Sequence, residues 1–353
     1  MTSWKPLPLL AIALALLLIA GIAAELHVIS RPVVSSDDAV EDGLPAEEQP
    51  VFLQHPSVLI GRISPEAGLG DIADPDLIRL LDLSVAAGVD LDDLARFRNI
   101  ERIELALEGP TDLAVLAKLG KLEQIAIHLR SPQALNLSVL SQVPGLRKIT
   151  LRNVLTDNLD DLASLINLRF LTIFNGEVAD LGGVAGSRKL QSLIIDNFSM
   201  PEGVSQSGNP YMGEALADYD LASATTLDLA RLGEKPELRT LAVIGSHVTG
   251  LKHLEQLPEL HGLWLLRAGV ADVREVSELR HLKDLVLAYN DGISDVTPLA
   301  QLLDLESLNL RGTNAADLGM ILALPMLENL DLRETPAVAR QLTAVPQTVN
   351  VLQ

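Results

Sequence analysis

Residues 282–310 read LKDLVLAYNDGISDVTPLAQLLDLESLNL, and their spacing decides the fold. Leu282, Leu285 and Leu287 give LxxLxL, Asn290 follows three residues later, and Leu305, Leu308 and Leu310 begin the same spacing again. Outward from this stretch the triplet recurs at Ile78/Leu81/Leu83, Ile100/Ile103/Leu105, Leu122/Ile125/Ile127, Leu146/Ile149/Leu151, Leu168/Leu171/Ile173 and Leu190/Leu193/Ile195. It resumes at Leu238/Leu241/Val243 and Leu260/Leu263/Leu265, and runs on to Leu327/Leu330/Leu332. The eleven triplets step by 22 residues, with single steps of 23, 24 and 48.

Alternate side chains of a triplet face opposite ways, so each triplet predicts a short strand with its leucines inward. One such strand cannot hide its leucines alone; stacked in parallel, the strands share a continuous core and curve into a solenoid. The returning segment carries a polar residue and then apolar residues spaced by three: Asp112 before Leu113, Leu116 and Leu119; Asp272 before Val273, Val276 and Leu279; Asp295 before Val296, Leu299 and Leu302; Asp317 before Leu318, Ile321 and Leu324. Asp90, Asn158 and Asp180 hold the same place. That spacing suits a 3₁₀ or very short α segment with an Asp or Asn cap. The pattern is that of a leucine-rich repeat: an α/β repeat solenoid, a horseshoe with a parallel sheet on the concave side and short helical turns on the convex side.

The repeats resemble those of the bacterial internalin-like leucine-rich-repeat family, most closely in AYNDGISDVTPLAQL, and the resemblance covers residues 78–332. It implies a strand-and-3₁₀ solenoid used to bind other proteins, and no individual binding residue carries over. Family members repeat the Asn after the strand as a ladder; here only Asn290 holds that place. Elsewhere it is taken by Ala86, Glu108, Arg130, Val154, Gly176, Phe198, Ser246, Ala268, Thr313 and Thr335, of which Ser and Thr can bond in part. The turn is therefore expected to be looser or differently shaped.

Residues 7–24, LPLLAIALALLLIAGIAA, carry no charge and as a helix would span about 27 Å, close to a bilayer's hydrocarbon thickness. Lys5 precedes them and Glu25, Asp37 and Asp38 follow, which orients an N-terminal transmembrane helix with its start in the cytoplasm and the repeats outside, in a periplasm or the medium. A cleaved signal peptide is the competing reading, since Gly21, Ala23 and Ala24 are small enough for a peptidase site, and it would give a secreted binding protein. The expected order is a signal-anchor at 1–26, an acidic tether at 27–50, an N-terminal cap at 51–77 and the repeat domain at 78–353. The chain holds no cysteine, and its net charge of -20 disfavours nucleic acid while admitting a basic protein or peptide.

The 48-residue step marks an insertion. Asp228 is ten residues before Leu238, as in a regular repeat, but 33 after Ile195, so the extra chain lies at about 197–227. Its first half reads as loop and its second half, EALADYDLASA, as a short helix.

Residues beside the strand leucines point out on the concave face. Early repeats present Asp82, Arg102, Glu104, Gln124, His128, Lys148, Thr150 and Arg152, and the last two present Ser307, Asn309, Arg311, Asn329, Asp331 and Arg333. Between them lies an apolar band of Phe170, Phe174, Ile194, Phe198, Ile244, Trp264, Leu266, Val286 and Tyr289, which holds five of the chain's ten aromatic residues. A contiguous apolar patch with a polar rim is the anatomy of a protein interface, so these nine residues are the expected partner-binding site. A second reading has the insertion, with Met200, Tyr211, Met212 and Tyr219, fold over the band and make it core.

No GxSxG, HExxH, GxxxxGK or GxGxxG motif occurs, and the histidines fall at different places in their repeats, so no catalytic residue, metal site or cofactor is expected. The expectation is a non-enzymatic protein-binding module; the alternative is a scaffold that self-associates through the same patch.

Overall fold

The computed structural model describes residues 52–65, 67–156, 158–198, 220–336 and 349–352. Each triplet forms a strand. In chain order the strands are β1 (Leu53–His55), β2 (Val58–Ile63), β3 (Leu80–Val85), β4 (Arg102–Leu107), β5 (Gln124–Ala134), β6 (Lys148–Leu155), β7 (Phe170–Phe174), β8 (Ser192–Asp196), β9 (Thr226–Asp228), β10 (Thr240–Ile244), β11 (His247–Thr249), β12 (Gly262–Leu266), β13 (Asp284–Val286), β14 (Ser307–Asn309), β15 (Asn329–Asp331) and β16 (Asn350–Leu352). Fourteen of them make one sheet in chain order, while β9 and β11 pair apart from it. The pairs are parallel except β1 with β2, a hairpin that opens the sheet ahead of the first repeat. At the far end β16 pairs with β15.

The register is the sequence period made visible. Leu81 lies opposite Ile103, Ile103 opposite Ile125, and Leu285 opposite Leu308, so every inward position stacks on its own kind. These side chains form a single core running the length of the solenoid. On the convex side the polar residue before each apolar series caps a turn: Asp90, Asp112, Asn136, Asn158, Asp180, Asp228, Asp272, Asp295 and Asp317 each accept from the backbone N–H two residues on, at 2.7–3.1 Å. The turns are 3₁₀, apart from one α-helical turn at Arg274–Ser277 among the described residues. The expected anchor at 1–26 and tether at 27–50 lie outside the described residues; among those described, no helix is long and apolar enough to cross a membrane.

The expected insertion at about 197–227 falls largely on residues 199–219, and only its two ends are described. Asn197 and Phe198 are buried against the sheet, and the described residues resume at Asp220, which caps the 3₁₀ turn Leu221–Ser223 before β9. Residues 199–219, with most of the expected short helix, lie outside the described residues.

The turn after the strand departs from the family's Asn ladder in an ordered way. Two residues beyond the last strand leucine the backbone is left-handed at Asn153, Asn175, Gly245, Arg267, Tyr289, Gly312 and Glu334. At the next position Asn290 donates to the carbonyls of Leu265, Leu287 and Ala288 and accepts from the N–H groups of Ala268 and Val270. Thr313 and Thr335 both donate to the Leu310 carbonyl, the partial substitution expected of a hydroxyl. A second series, one residue earlier and 22 apart, escaped the sequence reading. Asn153 donates to the Leu129 carbonyl, Asn175 donates to the Asn153 amide oxygen, and Asn197 bonds both backbone groups of Val178 together with Ser246 Oγ.

One convex position breaks the apolar rule. Seven residues after the cap the chain places Phe97, Leu119, Val143, Leu165, Leu279, Leu302 and Leu324, all buried, but also Ser187 and Lys235, both with no exposed surface. Ser187 Oγ donates to the Leu165 carbonyl, and Lys235 Nζ donates to the carbonyls of Leu232 at 2.6 Å and Ala185 at 3.0 Å. Burial first, and the Arg188 charge second, push its ammonium down to about 8. A depressed lysine favours the fold only when neutral: as pH rises from about 8 to about 10.5 the folded chain releases a proton that the unfolded chain keeps, so stability increases. Denaturant melts across that window are expected to show a gain on the order of 2–3 kcal/mol that Lys235→Met lacks.

Candidate functional site: the concave face

The strand register sorts the outward side chains into three rows. The first runs through Arg102, Gln124, Lys148, Phe170 and Ser192 and ends through Asp284, Ser307 and Asn329. The middle row runs from Ile60 through Asp82, Glu104, Ala126, Thr150, Thr172, Ile194, Ala242, Trp264, Val286 and Asn309 to Asp331. The third carries Ser84, Ala106, His128, Arg152 and Phe174, and later Ile244 and Leu266. All nine residues of the expected band therefore lie on the concave side or at the strand exits.

Their exposure differs from the expectation. Ile194, Phe198, Ile244, Trp264, Leu266 and Tyr289 pack with Ala242 and Ala288 into a second buried apolar cluster, separate from the core beneath the sheet, and Val286 packs against it. Trp264 is only 4% exposed and Phe198 1%. Phe174 is buried as well, with the Arg152 guanidinium 5.1 Å above its ring, and Arg311 stands 5.4 Å above the Tyr289 ring. Of the nine, Phe170 alone is fully a surface residue, at 39% exposed. The open apolar patch read from the sequence is thus a buried cluster. Two-residue alternation assigns a side chain to a face of the sheet, but whether that face meets solvent depends on what lies over it, which alternation does not encode. Gly312 belongs to this cluster's design: with φ of 65°, it sits where a Cβ would come within 2.7 Å of the Tyr289 ring.

Both ends of the concave face are partly open, the late strands at Asp284, Val286, Ser307 and Asn309 and the early half over a longer stretch. Asp82, Arg102, Gln124, Lys148, Thr150 and Arg152 are all partly exposed, whereas Glu104 and His128 are buried. Burial and the neighbouring Glu104 charge raise the Asp82 carboxyl. Toward the other end, burial and the Glu306 charge push Asp284 up to about 6. Two exposed apolar side chains bracket this half, Ile60 on β2 and Phe170 on β7. Five strand steps separate them, about 24 Å at about 4.8 Å per step. Among the described residues no three metal-ligating side chains converge.

Solved structures share this long sheet of stacked 22-residue units backed by capped 3₁₀ turns. The fold is the leucine-rich-repeat solenoid of the internalin type. An internalin from Listeria monocytogenes superposes with a TM-score of 0.55 at 20% identity, over 84% of this chain and 86% of that one. Curated relatives match a shorter stretch: the human leucine-rich repeat-containing protein 56 is 41% identical over 96 residues, and its mouse counterpart is 38% identical over 96. The stretch is 27% of this chain and 18% of the human protein, so the chain spans less than a fifth of the curated relative's length. No protein-family model matches the chain.

Proposed function

We propose that this leucine-rich-repeat solenoid is a non-enzymatic module that binds another protein through the open half of its concave face, β3 to β7. The observation that carries this is Phe170, the one exposed aromatic side chain among the described residues, standing at the end of a charged, partly exposed stretch of sheet. An aromatic anchor beside polar side chains is the usual make-up of a binding hot spot, and about 24 Å between Ile60 and Phe170 is the width of a standard interface. The buried cluster from Ile194 to Tyr289 lies beside this surface on the same side of the sheet and is not part of the proposed contact. On the same reading the apolar run at 7–24 anchors the chain in the cytoplasmic membrane, and the acidic tether holds the repeats outside it.

One experiment tests both parts. The full-length chain, tagged at its C-terminus, is recovered from cell fractions together with the proteins bound to it, beside the Phe170→Ala variant. The chain is expected in the alkali-washed membrane fraction, and the variant is expected to lose about 1–2 kcal/mol of affinity for the captured protein, roughly tenfold, while melting with the parent. Recovery in the soluble fraction overturns the anchor. Equal capture by Phe170→Ala overturns the proposed surface.

A further inference from the structure

One rim of the sheet concentrates positive charge in a chain whose net charge is -20. The rim is built from the residues that enter each strand, and backbone bonds stack them strand by strand. The Arg169 N–H donates to the Arg147 carbonyl, that of Gln191 to Arg169 and that of Arg239 to Gln191, at 2.8–2.9 Å. The entries to β6, β7 and β8, residues 145–148, 167–170 and 189–192, hold Arg147, Lys148, Arg169 and Lys189 and no acid. One strand further on each side, residues 121–124 and 237–240 add Lys121 and Arg239 against Glu123 and Glu237, so six cations still face two carboxylates. Beyond them the rim turns acidic, at Glu101 on one side and Glu259 on the other.

The flanking acids are taken, and the centre is open. Glu123 pairs with Arg147 at 3.2 Å, Glu237 accepts from Gln191 at 3.2 Å, and Arg188, next to Lys189, pairs with Glu234. Lys189 donates to the neutral Asn167 amide at 2.9 Å. Arg169 is exposed, and its guanidinium makes no hydrogen bond or ion pair among the described residues. Two exposed apolar side chains share its strand entry, Phe170 at 39% and Ile166 at 61%.

We propose that this rim binds an acidic segment of the protein partner, whose carboxylates accept from Arg169 and Lys189 while an apolar neighbour packs on Phe170. This rests on the reading that the concave half around Phe170 binds a protein. The chain's overall charge points to a basic partner; the charge beside Phe170 runs the other way, and contact is made locally. A free guanidinium offers a carboxylate two parallel donors. The patch is also short. Arg147 and Gln191 are two strand steps apart, about 10 Å at about 4.8 Å per step, the length of about three extended residues. A nucleic-acid strand or a lipid surface would run past that length onto Glu101 and Glu259 and be repelled there.

The test uses the full-length chain and two rhodamine-labelled hexapeptides, Glu-Leu-Glu-Glu-Leu-Glu and its counterpart with glutamine for every glutamate, read by fluorescence anisotropy. The glutamate peptide alone is expected to bind, less tightly as salt is raised. Arg169→Glu, which sets like charge against the peptide, is expected to weaken binding at least about tenfold. Arg79→Glu, on the same rim but outside the patch, is expected to leave it unchanged, and both variants to melt with the parent. Equal binding of the two peptides, binding untouched by Arg169→Glu, or no binding overturns the proposal. So does Arg169-dependent uptake of phosphatidylglycerol vesicles or of a single-stranded DNA 20-mer with the glutamate peptide left free. The outcome is separable from that of the concave-face reading: a partner whose capture needs Phe170 but is indifferent to Arg169→Glu sinks the acidic segment and leaves the surface standing. Arg169-dependent peptide binding in a chain whose capture is unchanged by Phe170→Ala does the reverse.

Discussion

Trp264→Ala is expected to lower stability by about 3–5 kcal/mol, because truncating a buried aromatic loses its transfer free energy and leaves a cavity that the neighbours fill only in part. The side chain is 4% exposed and packs with Ile194, Ala242, Ile244, Leu266, Ala288 and Tyr289. In a solenoid each repeat leans on its neighbours, so the loss should spread along the stack and show as a lower melting temperature together with faster amide exchange in β10, β12 and β13. Its indole N–H has no hydrogen-bond partner, so Trp264→Phe keeps most of the packing, removes an unsatisfied donor and should cost much less. Phe170→Ala is the internal comparison, since a ring 39% exposed has less burial to lose than one 4% exposed. A Trp264→Ala chain that melts with the parent would show that the band is open after all.

The second large effect is at Asn290. Its side chain receives the N–H groups of Ala268 at 2.9 Å and Val270 at 3.0 Å and donates to the carbonyls of Leu265 at 2.6 Å and Leu287 at 2.9 Å. Ala268 has no exposed surface and Val270 has 5%, so water cannot replace what the amide supplies. Asn290→Ala therefore leaves several buried backbone groups unpaired at once, each at about 1–3 kcal/mol, and a total of about 3–5 kcal/mol is expected. Native-state hydrogen exchange should report the loss first at the Ala268 and Val270 amides. Thr313→Val at the corresponding turn removes one hydroxyl donor to the Leu310 carbonyl and should cost about 1 kcal/mol. Comparable losses at the two positions would mean that the Asn290 bonds do not act as a unit.

The two halves of this picture were unequally legible. Asn290 stands where the repeat requires an Asn, and its role follows from its position. Asn153, Asn175 and Asn197 do comparable work one residue earlier, and the only sign of them was their common spacing of 22. Lys235 was invisible for a different reason: nothing in a lone lysine announces burial, and only alignment with the apolar residues seven places after the other caps shows that it occupies a core position. Glu104 and His128 were read as outward polar side chains, which they are. That each ends without a hydrogen-bond partner depends on the diagonal they share across β4 and β5.

What the sequence determined by itself is everything that follows from a local period. Leucine spacing set the strands, the 22-residue step set their parallel stacking and register, and Asp before an apolar series set the capped 3₁₀ turns. These are properties of adjacent residues and of identical neighbours. The tertiary structure alone decided which part of the concave face is open. Phe170 and Trp264 are both aromatic, outward on strands and separated by three strand steps in the sheet, yet one is 39% exposed and the other 4%. Exposure is set by whatever stands over a residue in space, and side-chain alternation along a strand carries no information about that.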